Sequence, residues 1–542
     1  MFVKIFIKFH CFKKSAKHSG DKMKKFIFLA ALLFTAQMFV VTSAQEKWPL
    51  DYNKENTGAD CPVPYMTILE KLPLVKNLPD PFEWADGRGR IKFYSDWRIK
   101  REQIGTQIQY FEIGEKPSRP DTITANYSKS DSVLTVNVTV NGHTLKLTSK
   151  VNLPSGTGPF PVMIGMNIPV KFLIPASILK SRNIITMKFD ANQVTSYWKP
   201  SNSDPYYKLY PRLNLDNTGQ YSAWSWGVSR IIDGLELVKK MLPVDLNHIG
   251  VVGCSYSGKM ALFAGAFDER IALTIALESG GGGATSWRYS HTEPAGTVED
   301  VDRTNYNWFR NDMRQFSGNN VYYMPEDHHE LMAMVAPRAL YTTGNTDYTW
   351  LSNKSCYVAC KAAKKVYDAL GIPDRFGFSI VGGHMHCRVP DSQVTEIQAF
   401  IDRFLFNKKT VKTSGISDSP FNFDLSQWIT WTNPVFTKGT TYYTDLDYPA
   451  NYQTDLDTMI ITFKWKKLKQ AEMYHFELSS DPSFVKVDKD FSTTDTTKTF
   501  KNFIQGKRYF WRVQVKTAEG LGLWSSEWSF VTKRRPFIFR RK

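Results

Sequence analysis

The sequence predicts an α/β protein with a mostly parallel sheet covered by helices, followed by a small all-β sandwich. Three observations carry this prediction. Short apolar runs alternate with helical patterns, a serine stands where one such run turns into a helix, and alternating strand patterns follow a change of composition near residue 407. Helices between strands imply parallel pairing with both faces of the sheet covered. Functional residues are then expected at the carboxyl ends of the strands.

The elements follow in order along the chain. A helix is predicted between Asp96 and Phe111, and period-two alternation on both sides of Asn141-Gly142 predicts a β-hairpin. The apolar runs that predict the sheet are "FPVMIGMNIP", "NIITMKFD", "NHIGVVGCS", "IALTIALES", "APRALYTTGN" and "RFGFSIVGGH". The segments between them follow helical patterns, which predicts crossover connections between parallel strands.

A chain of 542 residues is long enough for two or more domains. We assign residues 45–410 to the main domain, 411–450 to a linker rich in Thr, Ser, Asn, Asp and Pro, and 534–542 to a basic tail. Residues 451–533 resemble a fibronectin type III module, because "RYFWRVQVKTAEGLGLWSSEWSF" has the pattern of its late strands. Such a module is expected to be a spacer.

The first 44 residues have the layout of a secretory signal peptide with an N-terminal extension. Lys24 and Lys25 precede an apolar run, and small residues end the segment at Ala44. That pattern predicts export to the periplasm or the extracellular space, with no membrane span after cleavage. Cys61, Cys254, Cys356, Cys360 and Cys387 would remain, an odd number that leaves at least one thiol unpaired.

Composition and charge indicate which kinds of partner the protein can bind. Hydrophobic residues make up 42% of the chain and aromatic residues 14%, which argues against a disordered protein. The formal net charge is +17, but the basic residues are spread along the chain. This distribution favours weak attraction to acidic polymers, such as polymers of uronic acids, and does not predict a nucleic-acid site. It predicts no particular oligomeric state.

The serine is Ser255, in "HIGVVGCSYSGKMAL" (residues 248–262). A serine held between a strand and a helix presents its hydroxyl at the edge of the sheet, beside free N–H groups at the start of the helix. The N–H of Tyr256 would then be the expected donor to an oxyanion. The pattern is also compatible with an ordinary tight turn.

A nucleophilic serine needs a base and a group that orients the base. Candidates at the ends of later strands are Glu278 and Asp347 as the acid, and His384 and His386 as the base. The order serine, acid, histidine is that of an α/β-hydrolase. Glu278 could instead cap the glycine-rich turn that follows it, and Asp347 the segment that follows it.

Several motifs in the same order resemble the glucuronoyl esterases of carbohydrate esterase family fifteen. They are "LPDPFEWADG", "DWRIKREQI", "VVGCSYSGKMALFAGAFDERIALTIALESGGGG", "DHHELMAMVAPRALY", "NTDYTWLS" and "GGHMHC". The likeness spans about residues 75 to 406.

The resemblance implies a role for each matching residue. Ser255 would be the nucleophile, Glu278 the triad acid and His386 the base. It implies a disulfide between Cys254 and Cys387, and it implies that Lys259 and Trp350 hold a uronic-acid sugar.

This sequence also departs from the family pattern. Tyr256 replaces the arginine of G-C-S-R-x-G-K, so a phenolic hydroxyl without charge replaces an oxyanion-stabilising side chain. Asn305, in "TNYNWF", takes the place of a sugar-binding glutamate. Ser286 replaces a cysteine of a second disulfide, which leaves Cys360 without that partner. We therefore expect the chemistry to be retained and the sugar contacts to be altered.

Histidines in "DHHEL" and "HMHC" raise the question of a metal site. The chain has neither the H-E-x-x-H spacing nor a C-x-x-C pair, so we predict no metal and no cofactor. Cys356 and Cys360 fit one face of a helix and are expected to be buried free thiols.

The sequence therefore predicts an exported serine esterase that cleaves the carboxyl ester of a uronic-acid residue in plant polysaccharide. Alternative functions are a methylesterase for galacturonate in pectin, an acetyl xylan esterase, and a sugar-binding relative without catalysis.

Overall fold

The described part of the chain contains one large β-sheet covered by helices and, after it in the chain, two smaller β-sheets. This computed structural model describes residues 69–533, apart from 86, 88, 95, 121, 437–442, 481–483, 485–486, 519 and 526. The predicted signal peptide, Cys61 and the predicted basic tail lie outside the described residues.

Ten strands form the large sheet in the order β1-β2-β3-β5-β4-β6-β7-β8-β9-β10. Strands β4 to β10 pair in parallel, while β1, β2 and β3 form antiparallel pairs at one edge. The strands are β1 Thr122–Ser128, β2 Val133–Val140, β3 His143–Asn152, β4 Phe160–Met166, β5 Ile185–Phe189, β6 Val244–Cys254, β7 Ile271–Leu277, β8 Ala339–Asn345, β9 Phe376–Val381 and β10 Ser417–Asp418. All six predicted apolar runs are strands, and the predicted hairpin is β2–β3.

Nine α-helices are described, and all except the first, which precedes β1, lie in the connections between parallel strands, as the alternating pattern predicts. They are α1 Asp96–Ile108, α2 Ala176–Ser181, α3 Pro205–Leu209, α4 Gln220–Val238, α5 Tyr256–Phe267, α6 Trp287–Thr292, α7 His328–Ala333, α8 Asn353–Ala369 and α9 Asp391–Phe404. Short 3-10 helices are Leu69–Lys71, Val170–Phe172, Ala191–Gln193, Asn311–Phe316, Gly318–Tyr323, Thr349–Leu351 and Pro373–Arg375.

The first helix ends differently from the prediction. It is α-helical only to Ile108 and continues as a π-helical turn, Gln109–Ile113. Gly114 stops the turn with φ +79°, and a Cβ there would lie 2.3 Å from the carbonyl oxygen of Asn217. The close approach of a second segment therefore fixes this end, and a local pattern does not contain it.

The centre of the sheet is fully buried, which explains its continuous apolar runs. Every residue of β4 and β7 is buried, and so is every residue of α5 after Tyr256. A strand covered on both faces by helices has no solvent-facing side, so it shows no alternation. This packing fixes the carboxyl ends of β6, β7, β8 and β9 side by side.

The C-terminal strands form two sheets, one in the order β11-β13-β16 and one in the order β12-β19-β17-β14-β15 with β18 paired to β17. Their bounds are β11 Leu446–Tyr448, β12 Gln453–Leu456, β13 Ile460–Trp465, β14 Ala471–Ser479, β15 Lys489–Thr493, β16 Thr497–Lys501, β17 Arg508–Thr517, β18 Gly520–Trp524 and β19 Trp528–Thr532. Phe463, Phe476, Trp511 and Phe530 are buried in one apolar cluster between them.

Parts of the segment predicted as a linker have regular structure. Ser417–Asp418 is the parallel edge strand β10, and β11 begins at Leu446. The backbone between them also contacts the main domain, since the N–H of Leu78 donates to the carbonyl of Trp428 at 3.0 Å. Among the described residues, no helix is long and apolar enough to cross a membrane.

Candidate active site

Ser255 occupies the turn between β6 and α5. Its backbone has φ 59° and ψ −130°, and its N–H donates to the carbonyl of Leu277 at 3.0 Å. The turn is tight enough that a Cβ on Gly253 would lie 1.8 Å from the Ser257 carbonyl oxygen. Ser255 is partly exposed, and within the described residues its hydroxyl makes no hydrogen bond. A strained turn thus presents a free hydroxyl at the strand end.

Glu278 directly follows β7, the neighbour of β6, and holds His386. Its side chain is 2% exposed, and Oε2 lies 2.7 Å from His386 Nδ1. Its other oxygen, Oε1, accepts the N–H of Cys387 at 3.1 Å. Because a carboxylate accepts hydrogen bonds, the imidazole carries its proton on Nδ1 and leaves the lone pair of Nε2 free. This is the tautomer that a general base requires.

Residues that follow β8 hold the loop after β9, which carries His384 and His386 and is called the histidine loop below. The carboxylate of Asp347 accepts the N–H groups of Gly383 at 2.7 Å and His384 at 3.2 Å. The Tyr348 hydroxyl accepts the N–H of His386 at 3.0 Å. Asp347 therefore binds the backbone of the loop, whereas Glu278 binds the ring of His386.

His384 and His386 differ in exposure. His384 Nδ1 lies 3.7 Å from Glu278 Oε1, and the side chain is 7% exposed, with Nε2 buried without a partner among the described residues. His386 is 26% exposed. Asn345 stabilises this arrangement, because its Nδ2 donates to Glu278 Oε2 at 3.3 Å and to the His384 carbonyl at 3.0 Å. The geometry therefore favours His386 as the residue that can meet a substrate.

A disulfide joins Cys254 to Cys387, as the resemblance implies, with the two Cα atoms 5.8 Å apart. It links the residue before Ser255 to the residue after His386. A ring nitrogen of His386 lies within 4.8 Å of Cys254 Sγ. The cross-link therefore holds the serine turn and the histidine loop together, which is the fixed orientation that catalysis needs.

Charged side chains and aromatic rings lie near the ends of β6 and β8, beside Ser255 and His386. Lys259 Nζ lies 2.8 Å from Glu299 Oε2 and 4.9 Å from the ring centroid of Trp308. Glu299 also accepts the Thr304 hydroxyl at 3.0 Å. Trp350 is 47% exposed, with its ring centroid 5.9 Å from that of His386. Lys259, Glu299 and Trp350 therefore offer charged hydrogen-bonding groups and an exposed ring face, which are the kinds of group that bind a sugar.

Glu299 belongs to no motif recognised in the sequence, whereas Asn305 was expected to contact the sugar. Asn305 is exposed, and its Oδ1 accepts the N–H of Asn307 at 3.0 Å within its own turn. Glu299 is positioned by its N–H, which donates to the Trp350 carbonyl at 3.2 Å. Because this contact depends on how two loops meet, no local pattern around Glu299 could have revealed it. Asn305 as a substrate-binding residue remains a prediction.

The chain is similar to proteins of known activity. Residues 136–371 match the family described as "Glucuronyl esterase, fungi". A 4-O-methyl-glucuronoyl methylesterase of Cerrena unicolor is 38% identical over 378 residues, which are 66% of this chain and 77% of that protein. A 4-O-methyl-glucuronoyl methylesterase 1 of Wolfiporia cocos is 39% identical and is covered to 88% of its length. The chain belongs to the glucuronoyl esterase family.

Solved structures agree with this assignment. The glucuronoyl esterase catalytic domain from Hypocrea jecorina superposes with a TM-score of 0.61 at 32% identity, covering 69% of this chain and 100% of that one. A serine-to-alanine mutant of the glucuronoyl esterase from Sporotrichum thermophile, in complex with methyl 4-O-methyl-β-D-glucopyranuronate, superposes with a TM-score of 0.60 at 32% identity. The match covers 68% of this chain and 97% of the mutant chain. This glucuronoyl esterase chain has the α/β-hydrolase fold and is a carboxylic ester hydrolase.

Tyr256, which departs from the glucuronoyl esterase pattern, is held on two sides. Its hydroxyl accepts Asn167 Nδ2 at 2.8 Å, and its ring stacks on Tyr197 with centroids 4.2 Å apart. Partial burial, with Tyr256 and Glu299 nearby, raises the pKa of Tyr197. The N–H of Tyr256 lies in the first turn of α5, where backbone donors have no helical partner.

Ser286, the third departure from the glucuronoyl esterase pattern, has a structural role. Ser286 takes part in capping α6, because its hydroxyl accepts the N–H of Tyr289 at 3.1 Å and donates to Asp327 at 2.8 Å. Cys356 and Cys360 are buried free thiols with sulfurs 3.9 Å apart, as expected from the sequence. Burial raises the pKa of Cys360 well above the usual range of a thiol.

Two groups of side chains have metal-ligand spacing among the described residues. One is Cys254, His386 and Cys387, whose sulfurs are already joined in the disulfide. The other, in the C-terminal sheets, is His475, Glu477 and Asp490. Arg512 binds the carboxylate of Glu477 at 2.7 Å, which opposes a cation there. The absence of a metal remains a prediction.

Proposed function

We propose that this glucuronoyl esterase family member is a serine hydrolase that cleaves the carboxyl ester of a uronic-acid residue. Ser255 would be the nucleophile, His386 the general base and Glu278 the group that orients the base. The observation that carries the proposal is the contact of 2.7 Å between Glu278 Oε2 and His386 Nδ1, beside the disulfide that ties the histidine loop to Ser255. These are the relationships of a Ser-His-acid triad.

The mechanism follows from these positions. The Ser255 hydroxyl attacks the ester carbonyl carbon while His386 Nε2 takes its proton, and the Glu278 carboxylate stabilises the imidazolium. The Tyr256 N–H, in the first turn of α5, donates to the oxyanion. His386 then protonates the departing alcohol. A water molecule, deprotonated by His386, hydrolyses the acyl-enzyme and releases the uronic acid.

Lys259, Glu299 and Trp350 would hold the sugar. A charged ammonium and carboxylate can bind the hydroxyls of a uronate, and an exposed indole face can pack against its ring. The similar proteins named 4-O-methyl-glucuronoyl methylesterase support 4-O-methyl-glucuronate as the sugar. Galacturonate in methyl-esterified pectin is the second candidate, because Asn305 stands where the family pattern has a sugar-binding glutamate and its Oδ1 accepts the N–H of Asn307 instead.

The test of the proposed function is Ser255→Ala, assayed for methanol released from methyl 4-O-methyl-glucuronate. We expect a loss of at least about 10³-fold in kcat. A matched control is Ser257→Ala, because within the described residues the Ser257 hydroxyl bonds only to the backbone of Cys254. Full activity of Ser255→Ala would overturn the proposal. Failure of a serine-reactive phosphonate to label Ser255, together with inactivity of the wild type, would favour a sugar-binding protein without catalysis.

Substrate choice is tested on the wild type. Methanol release is compared between methyl glucuronate and methyl-esterified pectin, with acetylated xylan as a third substrate assayed for acetate. We expect the glucuronate ester to have the highest kcat/KM. A preference for pectin or for acetylated xylan would reassign the substrate while leaving the catalytic residues in place.

The remaining proposals concern the ends of the chain. The two C-terminal sheets pack around an aromatic cluster, which is consistent with a fibronectin type III-like module acting as a spacer. The charged and apolar pattern of residues 23–44 supports export by a signal peptide. Mass spectrometry of the secreted protein tests the export, and an N-terminus upstream of residue 23 would contradict it.

A further inference from the structure

The side chain of Tyr256 lies at the carboxyl ends of two neighbouring strands. Strand β4 pairs in parallel with β6, with Gly165 opposite Val252. Asn167, two residues after Gly165, therefore stands beside the end of β6, where Ser255 begins. In α/β-hydrolases the loop after this neighbouring strand supplies the second oxyanion donor. Here that loop contributes Asn167, which contacts Tyr256 directly.

The orientation of the Asn167 amide is fixed by its other contact. Its Oδ1 accepts the N–H of Ala191 at 3.2 Å. A flipped amide would place two donors against each other, so Nδ2 must face the Tyr256 hydroxyl at 2.8 Å. An amide nitrogen can only donate, and the phenol oxygen is therefore the acceptor.

This contact determines what the phenol can do next. Because its oxygen accepts from Asn167, its own O–H must point elsewhere. Among the described residues, no group accepts that proton, and Tyr256 is partly exposed. The stack on Tyr197, with centroids 4.2 Å apart and planes 30° from parallel, limits rotation of the ring. The phenol of Tyr256, the residue after Ser255, is therefore held in place while its O–H remains able to donate one hydrogen bond.

We propose that the Tyr256 hydroxyl is a catalytic oxyanion donor and that Asn167 is the residue that positions it. The inference rests on the proposed function, since it names a further residue of the same site. The hydroxyl would donate to the negative oxygen that forms when Ser255 attacks the ester, in addition to the Tyr256 N–H. A neutral, fixed donor stabilises that charge without having to reorganise during the reaction.

The test uses Tyr256→Phe, which keeps the aromatic stack and removes only the hydroxyl. We expect kcat on methyl 4-O-methyl-glucuronate to fall by about 10²-fold. KM should change less than about threefold, because the interaction forms only in the transition state. In a Ser255→Ala background, Tyr256→Phe should leave the Kd of the same ester unchanged. A kcat within threefold of the wild type would overturn the inference.

Asn167→Gly tests the positioning role, because glycine accepts the backbone φ of +57° at this site. We expect about a tenfold fall in kcat in the wild-type background and less than a twofold further fall in the Tyr256→Phe background. Equal losses in both backgrounds would show that Asn167 acts through the fold and not through the phenol.

Ser255→Ala is assayed in parallel to separate the two proposals. If Ser255→Ala is active, the proposed function fails. If Ser255→Ala is inactive and Tyr256→Phe is fully active, only the present inference fails.

Discussion

Glu278 Oε2 and His386 Nδ1 meet at 2.7 Å although 108 residues separate them in the chain. Three non-glycine residues at this meeting point have left-handed backbones: Ser255 with φ 59°, Glu278 with φ 43° and Cys387 with φ 63°. Such conformations cost about 1–2 kcal/mol each and persist where surrounding contacts impose them. Here the disulfide and the two hydrogen bonds to Glu278 supply those contacts. The site is therefore held in one geometry by connections between strand ends.

Replacing Glu278 by Gln should impair catalysis more than binding. The amide can turn its NH₂ group toward the imidazole and favour the tautomer with the proton on Nε2, which cannot act as a base. We expect kcat to fall by about 10²–10⁴-fold, measured on methyl 4-O-methyl-glucuronate.

Asp347→Asn is the matched control, because Asp347 binds the backbone of the histidine loop and not the ring of His386. We expect the fall in kcat caused by Asp347→Asn to be at least tenfold smaller than the fall caused by Glu278→Gln. The opposite order would make Asp347 the acid of the triad.

Removing the disulfide should reduce both stability and rate. In Cys254→Ala/Cys387→Ala, the unfolded chain is no longer closed by a link spanning 133 residues, which costs about 2–5 kcal/mol in the free energy of unfolding. Denaturant unfolding measures the change, and kcat should fall because the histidine loop is less firmly held.

Reduction of the wild type supplies the control for this variant. Dithiothreitol should lower the denaturation midpoint of the wild type to that of the double variant, and it should not affect the variant itself. A wild type whose midpoint and kcat are unchanged on complete reduction would contradict the prediction.

Glu299→Gln should weaken sugar binding. The substitution keeps the shape of the side chain but removes the charge that pairs with Lys259 Nζ at 2.8 Å. We expect KM for methyl 4-O-methyl-glucuronate to rise about tenfold, corresponding to about 1.4 kcal/mol of lost interaction. Activity on p-nitrophenyl acetate, which has no sugar, should change less than twofold. An equal loss on both esters would indicate a structural role for Glu299.

Glu330 should make stability depend on pH. Burial raises its pKa to about 7 from an ordinary 4.5, against the opposing effect of Lys100. The folded protein therefore holds this proton more tightly than the unfolded chain does. Its contribution to stability is complete below pH 4.5 and is lost as pH rises through about 7.

Glu330→Gln tests this dependence, because the amide is neutral at every pH and can still accept the N–H of Asp327. Relative to the wild type, the variant should gain stability between pH 5 and pH 8.5, by up to about 3 kcal/mol. Denaturation midpoints at several pH values measure the difference. If the midpoints of the wild type and Glu330→Gln differ by the same amount at every pH from 5 to 8.5, the predicted role of Glu330 is wrong.

Much of the fold follows from local patterns. Each apolar run contains a strand because a strand buried between helices needs apolar residues on both faces. The hairpin at Asn141-Gly142 follows from the left-handed backbone that those two residues tolerate. The end of α1 does not follow, because Gly114 stops it where the chain near Asn217 approaches. Such an approach involves residues about a hundred positions away.

By itself, the sequence determined which residues stand at strand ends, and so it supplied Ser255, two acids and two histidines as candidates. Local patterns left Glu278 and Asp347 open, and the tertiary structure shows Glu278 on the ring of His386, as the resemblance implies. Only the tertiary structure showed that Glu299 contacts Lys259. The reason is physical: residue type and period are local properties of a chain. Contact between side chains depends on which strands are neighbours and on how the loops after them are held.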